Sequence, residues 1–317
     1  MLARVAENIY WLSRYLERAE NTVRLVETHS SMLLDLADQN EHSDWIPLVR
    51  INALDEEFAK RHTHASEVAV CDFLLADSEN SGSLTNCFVA IHNNLRSCRD
   101  ILPRSSYEAI NSTCRLVKGT VLNTATTATS RNAYLSSIRT RLLAISADLD
   151  SNMCHDIAFR FMSMGRGIER ADMTSRIIDV QSSRLAFYIN DDENEALLQQ
   201  RWVFVLRTLS ALQMYRQNVR RPINGPDTLT FLLLNSKLPR SYLYCLEHLD
   251  ECLTELSNHD APRKAVETLR QRLNDQDLAM LAEQPMQLHG FIDTLQQGMQ
   301  DIAVAIAVTY FLPPQDT

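Results

Sequence analysis

This chain reads Arg14-Tyr-Leu-Glu17-Arg18-Ala19-Glu20-Asn-Thr22-Val-Arg24 near its start and Arg166-Gly-Ile-Glu169-Arg170-Ala171-Asp172-Met-Thr174-Ser-Arg176 further along. Arg, Glu, Arg, Ala, Thr and Arg recur at identical spacing, and the second acidic position is Glu in one copy and Asp in the other. Apolar residues recur every three or four positions around both copies, which is the spacing of a helix with one buried face. The repeated stretch, called the charged motif below, therefore predicts two related helices.

A second matched pair of segments occurs in the same order along the chain. Phe73-Leu-Leu-Ala-Asp-Ser78 resembles Phe231-Leu-Leu-Leu-Asn-Ser236, and Ser83 corresponds to Ser241 at nearly the same offset as the charged motif. Two matches in the same order predict an internal duplication with halves at about 1–130 and 131–317. We expect the halves to interlock in a single domain, 1–317, because the charged motifs suit helices that pack within one bundle.

The composition favours helices throughout. The 317 residues include only 7 Gly and 9 Pro, so few positions suit tight turns. The fold class predicted is an all-α helical bundle, with a Thr/Ser/Asn-rich linker at Thr120–Asn132 and a capping box at Ser105–Glu108 that opens a helix. The expected helices cover Met1–Asp38, Ala65–Ala76, Ser83–Ile101 and Ala133–Tyr188, then 193–220, 227–235, 239–258, 262–273 and 286–312.

The charge balance bears on possible partners. A net charge of −9 and a pI of about 5.5 argue against nonspecific nucleic-acid binding, which needs a basic face. Only four of the 31 basic residues are lysines. The guanidinium group of Arg pairs with carboxylates and phosphates through two hydrogen bonds, so the Arg excess indicates either anion recognition or ordinary surface ion pairs.

Cysteine usage and the ends of the chain favour a cytoplasmic location. The seven cysteines form no Cys-x-x-Cys pair, and the first residues lack the apolar core of a signal peptide. The apolar stretch Ile302–Leu312 is too short to span a membrane and predicts a buried helix end. We find no spacing of His, Cys or Gly typical of a metal, cofactor or nucleotide site, and we expect none.

The charged motif admits three interpretations. With Leu12 on the apolar stripe, Arg14, Glu17 and Arg18 fall on the opposite face of the helix. They form a solvated face, a buried network in which Arg from another helix holds each Glu, or a functional pocket. For a pocket, the candidate catalytic residues are Glu17 and Glu169. The candidate anion-binding residues are Arg14, Arg18, Arg96, Arg99, Arg166, Arg170 and Arg240.

The charged motif resembles the signature of the bacterial Alpha-E family, a family of unknown function. Further similarity lies in Asn94-Leu-Arg96-Ser-Cys-Arg99-Asp100, Asn111, and the stretch from Phe231 through Pro239-Arg240-Ser241. Tyr107 departs from the family, in which Trp is expected. The resemblance implies an all-helical cytoplasmic protein encoded beside a circularly permuted ATP-grasp protein and often a transglutaminase-like peptidase. Since ATP-grasp enzymes join a carboxylate to an amine through an acyl phosphate, it also implies a peptide- or amide-forming system.

Three functions follow as hypotheses. The first is an accessory subunit that binds the ligase or its carboxylate- or phosphate-bearing substrate through the arginines. The second is a stand-alone enzyme acting on amide or peptide bonds, with Glu169 as general base and Arg170 stabilising negative charge. The third is a structural scaffold whose Glu–Arg pairs hold helices together. A homo-oligomer is compatible with all three.

Overall fold

The computed structural model describes residues 1–36, 44–120, 127–185 and 195–312. Every regular element within these ranges is a helix, which confirms the all-α fold class. The chain forms two compact units, Met1–Arg166 and Gly167–Thr317. Their boundary lies inside a helix, not in the Thr/Ser/Asn-rich segment at which the predicted halves meet. Among the described residues, no helix is both long enough and apolar enough to cross a membrane.

A ring of four helices forms the centre of the first unit. In this ring α1 packs on α5 and α7, and α6 packs between α5 and α7. Three shorter helices lie between α1 and α5 in sequence, and α4 packs against both. The helices are α1 (Ala3–Leu36), α2 (Ile46–Ile51), α3 (Asp55–Ala59), α4 (Glu67–Leu75), α5 (Leu84–Ser97), α6 (Arg104–Gly119) and α7 (Ala128–Asn152).

A long helix, α8 (Ile157–Leu185), carries the second charged motif and runs from the first unit into the second. In the second unit α13 packs on α12 and α15, and α11 packs on α9, α12 and α14. The remaining helices are α9 (Glu195–Thr208), α10 (Leu212–Val219), α11 (Gly225–Leu234), α12 (Tyr242–Thr254), α13 (Asp260–Asn274), α14 (Leu278–Ala282) and α15 (Pro285–Tyr310).

The two matched segments have the same local structure. Phe73 lies near the end of α4 and Phe231 near the end of α11, and both are buried. Ser83 caps α5 by accepting a hydrogen bond from the backbone N–H of the third helical residue, and Ser241 caps α12 in the same way. The duplication stays a prediction, since equal local structure is also reached by unrelated segments that use the same capping chemistry.

Several helix boundaries differ from those predicted. The expected capping box is wrong, because α6 begins at Arg104 and the Ser105 hydroxyl donates to Asp148 on α7, not to its own helix. The helix expected over 193–220 is broken where Ser210 adopts a left-handed conformation with φ of 54°. The linker expected at Thr120–Asn132 is partly helical, since Thr127 caps α7. Of that linker, 121–126 lies outside the described residues.

The end of α15 is also different from the expectation. Ile302 and Ile306 are fully buried, but Val304, Val308 and Leu312 are 52%, 58% and 56% exposed. The prediction of a buried helix end is therefore wrong for one side of α15. Composition alone does not show which faces of a helix have neighbours.

Close packing between α1 and α8 depends on Gly165. A Cβ atom at this position would lie 2.3 Å from the Ser13 hydroxyl and 2.4 Å from the Tyr10 carbonyl oxygen. The Ser13 hydroxyl donates to that same carbonyl, so neither group can move freely. At Gly167, by contrast, the nearest atom to an added Cβ would be Leu249 Cγ at 3.7 Å. Of the two glycines, only Gly165 is therefore required for close packing.

We expect Gly165→Ala to lower the free energy of unfolding by about 2 kcal/mol or more, because the new methyl group overlaps backbone atoms of α1. Gly167→Ala is the matched control. It has room for the methyl group and gains helix propensity, so it should leave stability unchanged or raise it by up to about 1 kcal/mol. Urea unfolding of both variants measures the difference. Equal stability of the two would contradict the close packing.

Candidate functional site

The charged motif of α1 lies in the interior of the protein. Glu17 and Glu20 are 7% and 5% exposed, and Arg24 is 1% exposed. The apolar stripe of the same helix is buried as well, with Ile9 and Val23 fully inaccessible. On the face opposite this stripe, Glu17 is buried, whereas Arg14 and Arg18 are half-buried. A carboxylate in such a place needs a partner, because an unpaired buried charge is costly.

Two arginines hold the carboxylate of Glu20. Arg24, one turn later on α1, approaches it at 3.2 Å through Nε, and Arg139 of α7 approaches the same oxygen at 3.6 Å. Arg139 also lies 3.6 Å from the carboxylate of Glu27. Arg24 donates a further hydrogen bond to the side chain of Asn21. Two carboxylates and two guanidinium groups thus form a neutral set, called the Glu20 cluster below, that ties α1 to α7.

Burial affects the acid–base behaviour of this cluster. Burial raises the pKa of Glu27 above its ordinary value, and the nearby positive charge of Arg139 opposes that shift. The positive charge of Arg139 thus offsets part of the free-energy cost of burying the Glu27 carboxylate. Such an arrangement fixes the position of helices, and it adds less stability than its charges suggest because desolvation offsets attraction.

The second copy of the motif has the same pair in a wetter place. Arg176 Nε lies 2.8 Å from the carboxylate of Asp172 on α8, and the two side chains are 27% and 25% exposed. Glu169, in contrast, is only 3% exposed. The i,i+4 pair is therefore made in both copies of the motif, while its burial differs. This contrast supplies a matched comparison within one chain.

Most of the predicted anion-binding arginines have partners inside the protein. The guanidinium group of Arg14 lies over the ring of Trp11 at 4.9 Å, and that of Arg18 over Tyr15 at 5.5 Å. Arg166 makes a two-pronged pair with Asp150 at 2.8 and 3.0 Å. A guanidinium group used in this way has fewer donors left for a ligand.

Of the remaining candidates, Arg96, Arg99 and Arg240 lie at or just beyond helix ends, and Arg170 lies within α8. Arg96 and Arg99 are exposed around the end of α5, and neither forms an ion pair with a carboxylate in the described ranges. The backbone carbonyl of Arg240, just before α12, accepts a hydrogen bond from Thr174 of α8 at 2.9 Å. Arg170 is half-buried. Of the predicted anion-binding residues, Arg96 and Arg99 are thus the most accessible.

A cluster that sequence reasoning missed joins α8 to α15. His289 Nδ1 lies 2.6 Å from the carboxylate of Asp179, and its Nε2 lies 3.7 Å from that of Asp293. Ligand atoms of the three residues fall within 4.8 Å of one another, a set that could hold a metal ion. His289 already bridges both carboxylates, so a protonated imidazole accounts for the arrangement without an ion. Only the i,i+4 spacing of His289 and Asp293 could have been read from the sequence.

The hydrogen bond from His289 governs its titration. This bond to Asp179 raises the pKa of His289, and the charge of Asp179 adds to the effect. Burial raises the pKa of Asp179, and the bond from His289 opposes that shift. A raised His pKa means that the folded state holds the proton more tightly than the unfolded chain does.

Burial suppresses the ionisation of at least three cysteine thiols. None of the seven forms a disulfide, and only Cys154 among them is exposed. Burial raises the pKa of Cys71 and of Cys98 to about 12, and that of Cys114 to about 11. Thiols in such places stay protonated and act as small apolar side chains.

Comparison with known proteins places this architecture in context. A family model described as a predicted alpha-helical domain with a conserved ER motif, Alpha-E, matches residues 1–311. The chain is 22% identical over 290 residues to uncharacterized proteins of Mycobacterium bovis and Mycobacterium tuberculosis. The match covers 85% of this chain but only 32% of each relative, so the chain spans about a third of their length. No solved structure matches it significantly.

The matched motif positions allow a direct test of burial. We expect Glu20→Ala to lower the free energy of unfolding by about 3–5 kcal/mol, because it leaves the buried Arg24 without its carboxylate. Asp172→Ala, the equivalent change in the second copy, removes a partly hydrated pair and should cost less than about 1 kcal/mol. Chemical denaturation gives both values. Similar losses for the two variants would mean that burial does not set the difference.

The stability contributed by His289 should depend on pH. Because its folded pKa is raised, its contribution is present below the unfolded value and is lost as pH rises through the folded value. His289→Ala should therefore lower the free energy of unfolding more at about pH 6 than at about pH 9, by less than about 1 kcal/mol since the ring is half exposed. His64→Ala, at an exposed position, is the control, and an equal pH dependence of the two variants would contradict a specific contribution from His289.

Proposed function

We propose that this chain, which belongs to the Alpha-E family, is an accessory subunit of an ATP-grasp-type peptide- or amide-forming system. The observation that carries the proposal is the internal neutralisation of the charged motif. In the first copy, the buried carboxylate of Glu20 lies beside Arg24 and Arg139. A motif used in this way builds a rigid helical body, and such a body suits the role of a binding partner.

The extent of the relatives supports the same role. The matched region makes up 32% of each mycobacterial protein, so there it works within a longer polypeptide. We propose that the present chain acts beside a circularly permuted ATP-grasp protein, with a transglutaminase-like peptidase as a further component. The absence of disulfides among its seven cysteines is compatible with a cytoplasmic setting.

Arg96 and Arg99 are proposed as the contacts for anions. Both are exposed, and both lie near the C-terminal end of α5 without a carboxylate partner in the described part of the chain. Arg96 lies in the last turn of α5 and Arg99 in the turn that follows it, so two exposed guanidinium groups close in sequence are available to a carboxylate or phosphate group. They would contact either the ligase or its substrate.

A second candidate function is a purely structural scaffold, which the Glu20 cluster favours directly. The burial of Glu169 also supports a structural role for that residue, since a general base must reach its substrate. For the enzyme hypothesis, Glu169→Gln would have to abolish turnover by the purified protein. The scaffold hypothesis requires no ligand at Arg96 and Arg99.

Binding to the ATP-grasp protein of the same organism tests the proposal. We expect the two purified proteins to form a stoichiometric complex in calorimetry. Arg96→Glu with Arg99→Glu should weaken it about tenfold by placing acidic groups where cations are needed. Arg115→Glu is the control, because Arg115 is exposed on α6 and is not among the proposed contacts. No complex with the unmodified protein would overturn the proposed function.

A further inference from the structure

The last turns of α15 present an apolar surface to solvent. Ile302–Leu312 contains no charged residue, and three large side chains of this stretch are more than half exposed. Along α15, the directions of Val304 and Val308 lie within about 60° of that of Asp301, so the two valines share the outer side of the helix. The exposed Leu312 follows two residues after the helix ends at Tyr310. We call Val304, Val308 and Leu312 the α15 stripe.

A groove between α13 and α15 adjoins this stripe. Its volume is about 260 Å³, and small residues line it where the helices approach closely, namely Ala261, Ala265 and Gly298. A Cβ atom at Gly298 would lie 2.5 Å from Leu269 Cδ1, so this glycine sets the separation of the helices. Asp301 lines the groove and lies one turn before Val304 on α15. The groove and the α15 stripe therefore adjoin.

Two cations border the groove without carboxylate partners. Lys264 and Arg272 lie two turns apart on α13, with Thr268 between them, and both are exposed. Within the residues that the structure describes, no carboxylate lies within ion-pair distance of either. Asp301 on the opposite wall accepts a hydrogen bond from Gln297 at 2.9 Å. The wall formed by α13 is thus locally positive on a chain whose net charge is −9.

We propose that the groove and the α15 stripe form the docking surface for an acidic amphipathic helix of the ATP-grasp partner. An apolar face at helical spacing would cover Val304, Val308 and Leu312, and Asp or Glu residues at its edge would meet Lys264 and Arg272. Charge complementarity selects this occupant, because an acidic helix is attracted only where the surface is positive. The apolar stripe makes nucleic acid a poor fit.

This inference rests on the proposed function for the identity of the partner. A second copy of the chain is the competing occupant, since exposed apolar stripes also form homodimer contacts. Sedimentation of the unmodified protein alone tests that possibility. A dimer that Val308→Lys dissociates would overturn the assignment to the partner.

The experiment measures the affinity of the full chain for the purified ATP-grasp protein. Val304→Lys with Val308→Lys should weaken binding about 30-fold or more, because two ammonium groups would enter an apolar contact. Val68→Lys on α4 is the matched control, since Val68 is also an exposed valine on a helix and lies away from the proposed contacts on α5. Lysine at exposed positions leaves the core intact, and thermal unfolding of each variant verifies this.

Charge reversal on the groove tests the acidic character of the partner helix. Lys264→Glu with Arg272→Glu should weaken binding about tenfold at low salt and reduce the dependence of affinity on salt between about 0.05 and 0.3 M. Unchanged binding by both double variants, with the unmodified complex intact, would overturn the docking surface and leave the proposed function standing. No complex with the unmodified chain would overturn both.

Discussion

The buried carboxylate of Glu20 is the constraint on which the first unit depends. It lies between Arg24 of its own helix and Arg139 of α7, in a place where an unpaired charge would be strongly unfavourable. Any shift of α1 along α7 would separate these groups, so the cluster fixes the relative position of the two helices. The apolar stripe on the other side of α1 supplies the driving force for burial, and the charges supply the alignment.

The burial of α1 on more than one side limits which substitutions this helix can accept. Its apolar stripe and its charged motif are both buried, and Gly165 allows a neighbouring helix to approach its backbone directly. A helix buried in this way serves as a structural axis and offers little surface to a ligand. The accessible features lie elsewhere, at Arg96 and Arg99 and along the α15 stripe. For this reason we assign partner binding to the outer surfaces and helix alignment to the charged motif.

Much of this architecture could be predicted from the sequence, because it depends on local rules. The spacing of apolar residues indicated α1 and α8, and the helix predicted at Ser83–Ile101 contains α5. Burial of the charged motif could not be decided, since a helical wheel gives directions but not neighbours. The pair of Asp179 and His289 joins residues 110 positions apart, and the exposed side of α15 depends on which helices pack against its other side. Both are consequences of tertiary packing.

The central claim is that Glu20 and Arg139 interact as a buried pair that aligns α1 with α7. A double-mutant cycle on the free energy of unfolding, with Glu20→Ala, Arg139→Ala and both changes together, measures this interaction directly. The account predicts a coupling energy of at least about 1 kcal/mol, because the carboxylate is buried and the guanidinium is two-thirds buried. A coupling energy below about 0.3 kcal/mol, meaning that the two losses simply add, would contradict it.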